Sequence, residues 1–197
     1  MTRAMNPQAI IDRTRSWIAS VVIELNLCPF AQRVFQADRI RYVVTDAHDE
    51  TGLLKDLADE LKSLAMTPIS MVETTLLIHP HTMANFLDYN DFLDTAEQLV
   101  ADLGLEGIVQ IASFHPDYQF ADTDAEAVEN YTNRSPYPML HLLREDSISA
   151  GADDPDDLLA IPQRNIDTLR RLGREKMLKK LQAIKAGVKP TPRCDAP

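Results

Sequence analysis

Two histidines stand at the ends of apolar, β-branched runs, where a proline turns the chain and an imidazole could reach a ligand. His79 follows the run 74–78, and His115 follows the run 108–114. Imidazole transfers protons near neutral pH, so each ring is a candidate general acid or base. The alternative is that each ring bonds carbonyl groups of its own turn, because polar side chains at strand ends commonly pair with free backbone groups.

The segment after His115 adds three further polar groups. Asp117, Tyr118 and Gln119 supply a carboxylate, a phenol and an amide between aromatic residues. Asp117 or Tyr118 could orient the imidazole of His115, while Gln119 could contact a polar substrate. The segment therefore extends the candidate site beyond the histidine.

A second concentration of polar residues precedes a predicted helix over 136–147. Ser135 is a favoured N-cap, and a proline follows it at the first helical position. Free N–H groups at such a helix start, beside Asn133, Arg134 and Ser135, could seat a carboxylate or phosphate. Along the helix, Tyr137 and His141 would share one face, although an ordinary solvated helix face would look the same.

Two arginines interrupt an otherwise anionic stretch. Between Lys62 and Arg164 the only basic residues are Arg134 and Arg144, among eighteen acidic ones. A guanidinium can hold a carboxylate or phosphate through two parallel hydrogen bonds. We therefore assign both arginines to substrate binding, with a salt bridge to a neighbouring acid as the alternative.

Cys28 is a further candidate, because a thiol becomes a nucleophile when its pKa is lowered. Its position beside Leu27 and Phe30 is equally typical of a passive core thiol. The histidines could also bind a metal, but no close His/Cys/carboxylate signature appears, so we predict no metal ligands.

Strands alternating with helices must position these residues. Apolar spacing predicts helices over about 7–25, 54–64 and 86–103, and strands at 40–44, 74–78 and 108–114. The expected fold is α/β, with a small, mainly parallel sheet of three or four strands flanked by helices, and additional C-terminal helices. If the strands are parallel, Asp46, His79 and His115 all emerge at their carboxyl ends, where open α/β sheets bind ligands.

Length and composition indicate a single domain over 1–187, an acidic linker over 151–157 and a disordered tail over 188–197. The net charge of -10 argues against nucleic acid or an anionic membrane as a partner. Two cysteines without a disulfide framework, and no secretory or membrane-spanning pattern, favour the cytoplasm.

Several long polar strings resemble a bacterial family of proteins of unknown function, domain-of-unknown-function family 1415. The matching stretches lie within about 17–172 and comprise 25–31, 74–80, 86–93, 112–120 and 130–145. The resemblance implies a bacterial, cytoplasmic protein and supplies no activity.

These residues predict a small-molecule enzyme, a hydrolase or a transferase, that acts on an anionic substrate without an identified cofactor. His115 would be the general acid or base, assisted by His79 or His141, with Cys28 as a nucleophile. Two alternatives remain open: a non-catalytic module that binds an anionic metabolite, and a metal-dependent enzyme that uses the same histidines.

Overall fold

A computed structural model describes residues 6–149 and 155–187. Helix α1 (Pro7–Trp17) continues as a π-helical segment (Ile18–Ile23) and is followed by the short α2 (Ala31–Gln36). The remaining elements, in chain order, are β1 (Ile40–Val44), α3 (Glu50–Met66), β2 (Thr74–Ile78), α4 (Phe86–Asp102), β3 (Val109–Phe114), a 3-10 turn (Val128–Thr132), β4 (Met139–Arg144), α5 (Glu145–Ser149), α6 (Pro155–Leu172) and α7 (Arg174–Lys185).

Local sequence signals explain most of these bounds. The side chain of Asp49 accepts a hydrogen bond from Gly52 N–H at the start of α3, and Asn85 caps α4 in the same way. Gly104, with a φ of 67°, takes the left-handed conformation that ends α4. The three predicted strands and the helices between them are confirmed.

The helix predicted over 136–147 is wrong, because residues 139–144 form strand β4 and only the short α5 follows it. Leu140 and Leu142 face one side of the sheet, while Met139 and His141 face the other, and both sides are covered. A strand buried on both faces shows no alternation of apolar and polar residues, so nothing in 139–144 opposed the helix-start signal of Ser135 and the proline after it. Pairing with two neighbouring strands overrides the helix propensity of the leucines.

The sheet has four strands in the order β1-β2-β4-β3. β1 and β2 are parallel, while β4 runs antiparallel to both β2 and β3. Three strands therefore point the same way, as expected, but the sheet is mixed rather than mainly parallel in its pairings.

Helices cover both faces of the sheet. α3 and α4 pack on one face, around Leu57, Leu77 and Phe92. On the other face α1, the π-helical segment, α6 and α7 pack around Trp17 and Leu76.

Pro155 to Asp157, predicted as part of an acidic linker, form the first turn of α6. The predicted tail over 188–197 lies outside the described residues.

Candidate functional site

The carboxyl ends of β2 and β3 bring His79 and His115 together, as the sequence predicted. Both imidazoles are fully buried and lie beside Tyr89, with ring centroids 5.7 Å and 5.2 Å from the phenol ring. The Tyr89 hydroxyl donates to the Met139 carbonyl (2.9 Å) and accepts from Phe114 N–H (3.0 Å). This aromatic cluster therefore joins α4 to β3 and β4.

Hydrogen bonds to the backbone occupy both ring nitrogens of His115. Nδ1 accepts from Asp117 N–H (3.0 Å), so Nε2 carries the hydrogen and donates to the Met83 carbonyl (3.1 Å). Burial lowers the pKa of this imidazole. In this arrangement His115 has no free nitrogen for a substrate, which matches the turn-capping alternative.

His79 has one free nitrogen but no access to solvent. Nδ1 lies 3.3 Å from the Thr82 carbonyl, and Nε2 is buried without a partner among the described residues. Burial lowers the pKa of His79 to about 4, so the ring is neutral at pH 7.

Asp117 and Tyr118 do not orient His115 through their side chains. Asp117 bonds His115 through its backbone N–H rather than its carboxylate, and the hydroxyl of Tyr118 accepts from Ser113 at 3.4 Å.

Residues 133–137 do not form the predicted anion seat at a helix start. The guanidinium of Arg134 donates to the carbonyls of Tyr118 (3.1 Å) and Ala125 (2.7 Å) and lies over the ring of Tyr131. The other predicted binding groups also form hydrogen bonds within the protein. Ser135 Oγ donates to the Tyr137 carbonyl, and Tyr137 Oη accepts from Arg13. Asn133 Nδ2 donates to the Ser113 carbonyl, and Gln119 Nε2 donates to the Thr123 carbonyl. These contacts order the long connection between β3 and β4.

Arg144 closes the carboxyl end of α3. Its Nη2 donates to the carbonyls of Leu64, Thr67 and Val72, the last at 3.3 Å. A cation at this position also compensates the negative end of the helix dipole. Neither arginine pairs with a carboxylate of the described chain, so the salt-bridge alternative fails for these residues.

A cavity of about 390 Å³ lies between the sheet and the helices on the face of the sheet that α1 covers. Its apolar lining consists of Trp17, Ile18, Val22, Phe30, Ala31, Val34, Ile40, Leu76, Ala112, Phe114, Leu143 and Ile161. Its polar lining consists of Cys28, Glu73, Thr74, His141, Arg144 and Ser147. Cys28 and His141, which the sequence singled out, therefore share this cavity, while His79 and His115 lie outside its lining.

His141 is held in the cavity wall by Thr74. Its Nε2 lies 2.7 Å from Thr74 Oγ, and that hydroxyl lies 2.6 Å from the Leu142 carbonyl. Burial lowers the pKa of His141 to about 4, so the imidazole is neutral at pH 7. No residue of the described chain bonds its Nδ1.

Cys28 lies between the π-helical segment and α2, where its thiol is free. Burial raises its pKa, and hydrogen bonds from the backbone of Phe30 and Ala31 oppose that effect only in part. The thiol is therefore protonated at neutral pH, as expected for a core cysteine.

One end of the cavity, called here the cationic end, consists of Glu73, which lines it, and of Arg33 and Arg39, which pair with Glu73 from outside the lining. The buried carboxylate of Glu73 accepts from Arg33 (3.2 Å from Nη1 to Oε2) and pairs with Arg39 (3.1 Å), so two guanidinium groups share one carboxylate. Arg144 Nε and Ser147 Oγ also lack a hydrogen-bond partner among the described residues, but neither atom has accessible surface, so neither faces the cavity. The two guanidinium groups exceed the charge of Glu73 by one positive charge, so this end favours an additional negative charge.

Sequence reasoning missed Trp17, Glu73 and Thr74, which were treated only as parts of their elements or not at all. One signal for Glu73 was available: it is the only acid between Glu60 and Asp88 and directly precedes a buried strand. No local pattern linked Thr74 to His141, because the tertiary pairing of β2 with β4 brings them together.

The described ranges, 6–149 and 155–187, contain neither a metal-binding cluster nor a membrane-spanning helix. No group of three or more His, Cys, Asp or Glu side chains there is placed to hold a metal ion. None of the helices within those ranges has the length and apolar character needed to cross a bilayer.

Comparison with known proteins gives one match. The family model described as "Protein of unknown function (DUF1415)" matches residues 9–179. No curated protein and no solved structure matches the chain.

Proposed function

Because the chain belongs to the DUF1415 family, whose function is unknown, we propose a function from the cavity itself: it binds a small amphipathic anion, with an apolar body and an acidic head. The observation that carries this proposal is the 390 Å³ apolar cavity whose lining includes Glu73, a carboxylate paired with two arginines. Ligand sites commonly combine a predominantly apolar wall with a few polar groups.

The apolar wall supplies most of the binding free energy in this account. Each methylene group that leaves water contributes about 0.8 kcal/mol, so an eight-carbon chain offers about 6 kcal/mol before the entropic cost of binding. The aromatic rings of Trp17, Phe30 and Phe114 provide a surface for such a chain. We therefore expect affinity to increase with chain length until the cavity is full.

The cationic end selects the head group. Arg33 and Arg39 carry two positive charges against the single negative charge of Glu73, in a chain whose net charge is -10. A local positive potential in an acidic protein attracts an anion to that position.

The single tryptophan of the chain makes the proposal testable. Trp17 is buried and lines the cavity, so a bound ligand should change its fluorescence. Titration with hexanoate, octanoate and decanoate should give saturable changes with dissociation constants that fall with chain length. A set of acids that leaves the fluorescence of Trp17 unchanged at millimolar concentration would contradict the proposal.

Two variants locate the ligand. Ala112 faces the cavity directly opposite His141, so Ala112→Leu should fill the space and weaken octanoate binding at least tenfold. The matched control is Ala37→Leu, at an exposed position outside the cavity lining, which should bind octanoate as the wild type does. Arg33→Gln should weaken octanoate binding while leaving 1-octanol binding unchanged; equal losses for both would refute the role of charge.

A second candidate function is acyl transfer at Cys28, the hydrolase or transferase activity expected from the sequence. Its support is that Cys28 and His141 line one cavity, with Nδ1 of His141 unbonded among the described residues. Burial opposes it, because the raised pKa of the thiol and the lowered pKa of the imidazole both disfavour a thiolate–imidazolium pair. Stoichiometric labelling of Cys28 by iodoacetamide within minutes at pH 7 would favour catalysis; an inert thiol would leave binding alone.

We further propose that this binding takes place in the bacterial cytoplasm, without nucleic acid as a partner. The free thiol of Cys28 suits a reducing compartment, and the net charge of -10 opposes a polyanion. Cell fractionation of the source bacterium, with detection by antibody, tests the location. Recovery in the periplasm would contradict it.

A further inference from the structure

The hydrogen bonds around Thr74 fix which nitrogen of His141 carries the hydrogen. Thr74 Oγ is 2.6 Å from the Leu142 carbonyl oxygen and 2.7 Å from His141 Nε2. A carbonyl can only accept, so the single hydroxyl hydrogen of Thr74 points to Leu142. Thr74 Oγ must then accept from His141, and the hydrogen of the neutral imidazole lies on Nε2.

Nδ1 of His141 is consequently a lone-pair acceptor. It has no partner among the described residues, and it is absent from the fully buried unpartnered atoms, so it is open to the space beside the ring. That space is the cavity, because His141 lines it. A neutral acceptor in an apolar wall favours a ligand group that donates a hydrogen bond.

The distance between this acceptor and the cationic end follows from the strand geometry. His141 lies opposite Leu76 on β2, and Glu73 lies three residues before Leu76. At about 3.3 Å per residue, the Cα positions of Leu76 and Glu73 are roughly 10 Å apart along the strand. Glu73 also pairs with Arg39, directly before β1, whereas His141 is on β4, and β1 and β4 flank β2 on opposite sides, so the two side chains are separated across the sheet as well. A donor and an acidic group on adjacent carbons could not reach both positions.

We infer that the ligand is an apolar acid with a hydroxyl or N–H donor at the end remote from its carboxylate, and that Nδ1 of His141 accepts from this donor. This inference rests on the proposed function and names its ligand class, of which an ω-hydroxy acid is the simplest member. His141 is the specificity-determining residue. Thr74 is a positioning residue that keeps the acceptor facing the ligand.

Three isomeric acids test the inference with the same number of heavy atoms. 8-Hydroxyoctanoate carries the donor at the far end, 2-hydroxyoctanoate carries it beside the carboxylate, and 7-methoxyheptanoate has an ether oxygen in place of the donor. In titrations followed by Trp17 fluorescence, 8-hydroxyoctanoate should bind at least tenfold more tightly than the other two. Equal binding of the three would overturn the inference and leave the cavity function standing, whereas no binding by any of them would overturn both.

Nitrogen-15 NMR of the wild-type protein gives a reading that needs no variant. Nδ1 of His141 should have the chemical shift of an unprotonated ring nitrogen, and 8-hydroxyoctanoate should move it while 7-methoxyheptanoate should not. A protonated Nδ1 in the free protein, or an equal response to both acids, would refute the assignment.

Variants then separate the two roles. His141→Phe should make the three acids bind equally, and Thr74→Val should reduce the preference for 8-hydroxyoctanoate while the NMR spectrum shows both tautomers of His141. Retention of the full preference in folded His141→Phe would overturn the inference. A single Nε2–H tautomer in folded Thr74→Val would overturn the positioning role of Thr74.

Discussion

The buried imidazole of His79 should make the protein less stable as the pH falls, well before carboxyl groups titrate. The ring is fully buried, and its Nε2 has no hydrogen-bond partner among the described residues. Burial lowers the pKa of His79 to about 4 in the folded chain, whereas an unfolded histidine has a pKa of about 6.5. Between these values the unfolded chain binds the proton more readily, so acid favours unfolding.

The magnitude follows from the two pKa values. One pKa unit corresponds to about 1.4 kcal/mol, and at pH 5 the unfolded imidazole is protonated while the folded one is mostly neutral. The contribution of His79 to the free energy of unfolding should therefore fall by about 2 kcal/mol between pH 7.5 and pH 5. At pH 7.5 both states are neutral and the contribution of proton binding vanishes.

Replacement of His79 by asparagine isolates this effect. The amide of His79→Asn can still donate to the Thr82 carbonyl, as Nδ1 does, but it does not titrate. His141, whose pKa burial also lowers to about 4, is present in both proteins and cancels from the comparison. Urea unfolding at pH 7.5 and pH 5 should show that the variant loses about 2 kcal/mol less stability than the wild type.

A matched control lies in the same turn. His81 is only partly buried and stacks on the exposed His48, so His81→Asn should retain the pH dependence of the wild type. Identical losses of stability in His79→Asn and the wild type would refute the reasoning, because the buried ring would then not titrate differently in the two states.

Two further variants test contacts at the two ends of strand β4. Tyr89→Phe removes the hydroxyl that bonds the backbone of Met139 and Phe114, and should lower the free energy of unfolding by about 2 kcal/mol, because two buried backbone groups lose a partner; a loss under about 0.5 kcal/mol in urea denaturation would contradict this. Arg144→Met removes the donor from three carbonyls after α3, and should accelerate hydrogen exchange in the last turn of α3 but not of α4. Unchanged exchange in α3 would show that Arg144 does not cap it.

Much of the fold could be predicted from sequence because the signals were local. Strand β2 is a short β-branched and apolar run bounded by polar residues, and α4 has an N-cap at Asn85 and a terminating glycine. Strand β4 could not be identified in the same way. Its partners are β2 and β3, more than twenty residues away in sequence, and only their backbone groups make 139–144 extended.

The candidate site likewise has a part that the sequence predicts and a part that depends on tertiary contacts. His79 and His115 follow strands that point the same way, so their position at one end of the sheet was predictable from strand direction. The bonds that occupy both nitrogens of His115 depend on the conformation of its turn and of Met83, for which the sequence carries no periodic signal. Because β4 was predicted as a helix, His141 was expected on a helix face, whereas it lies on a strand and lines the cavity.

A crystal structure of the protein with 8-hydroxyoctanoate would test the central claim most directly. We expect one acid in the cavity, with its chain against Trp17 and Phe114, its carboxylate at the end where Glu73 pairs with Arg33 and Arg39, and its hydroxyl on Nδ1 of His141. An empty cavity at saturating ligand, or an acid bound elsewhere on the protein, would contradict it.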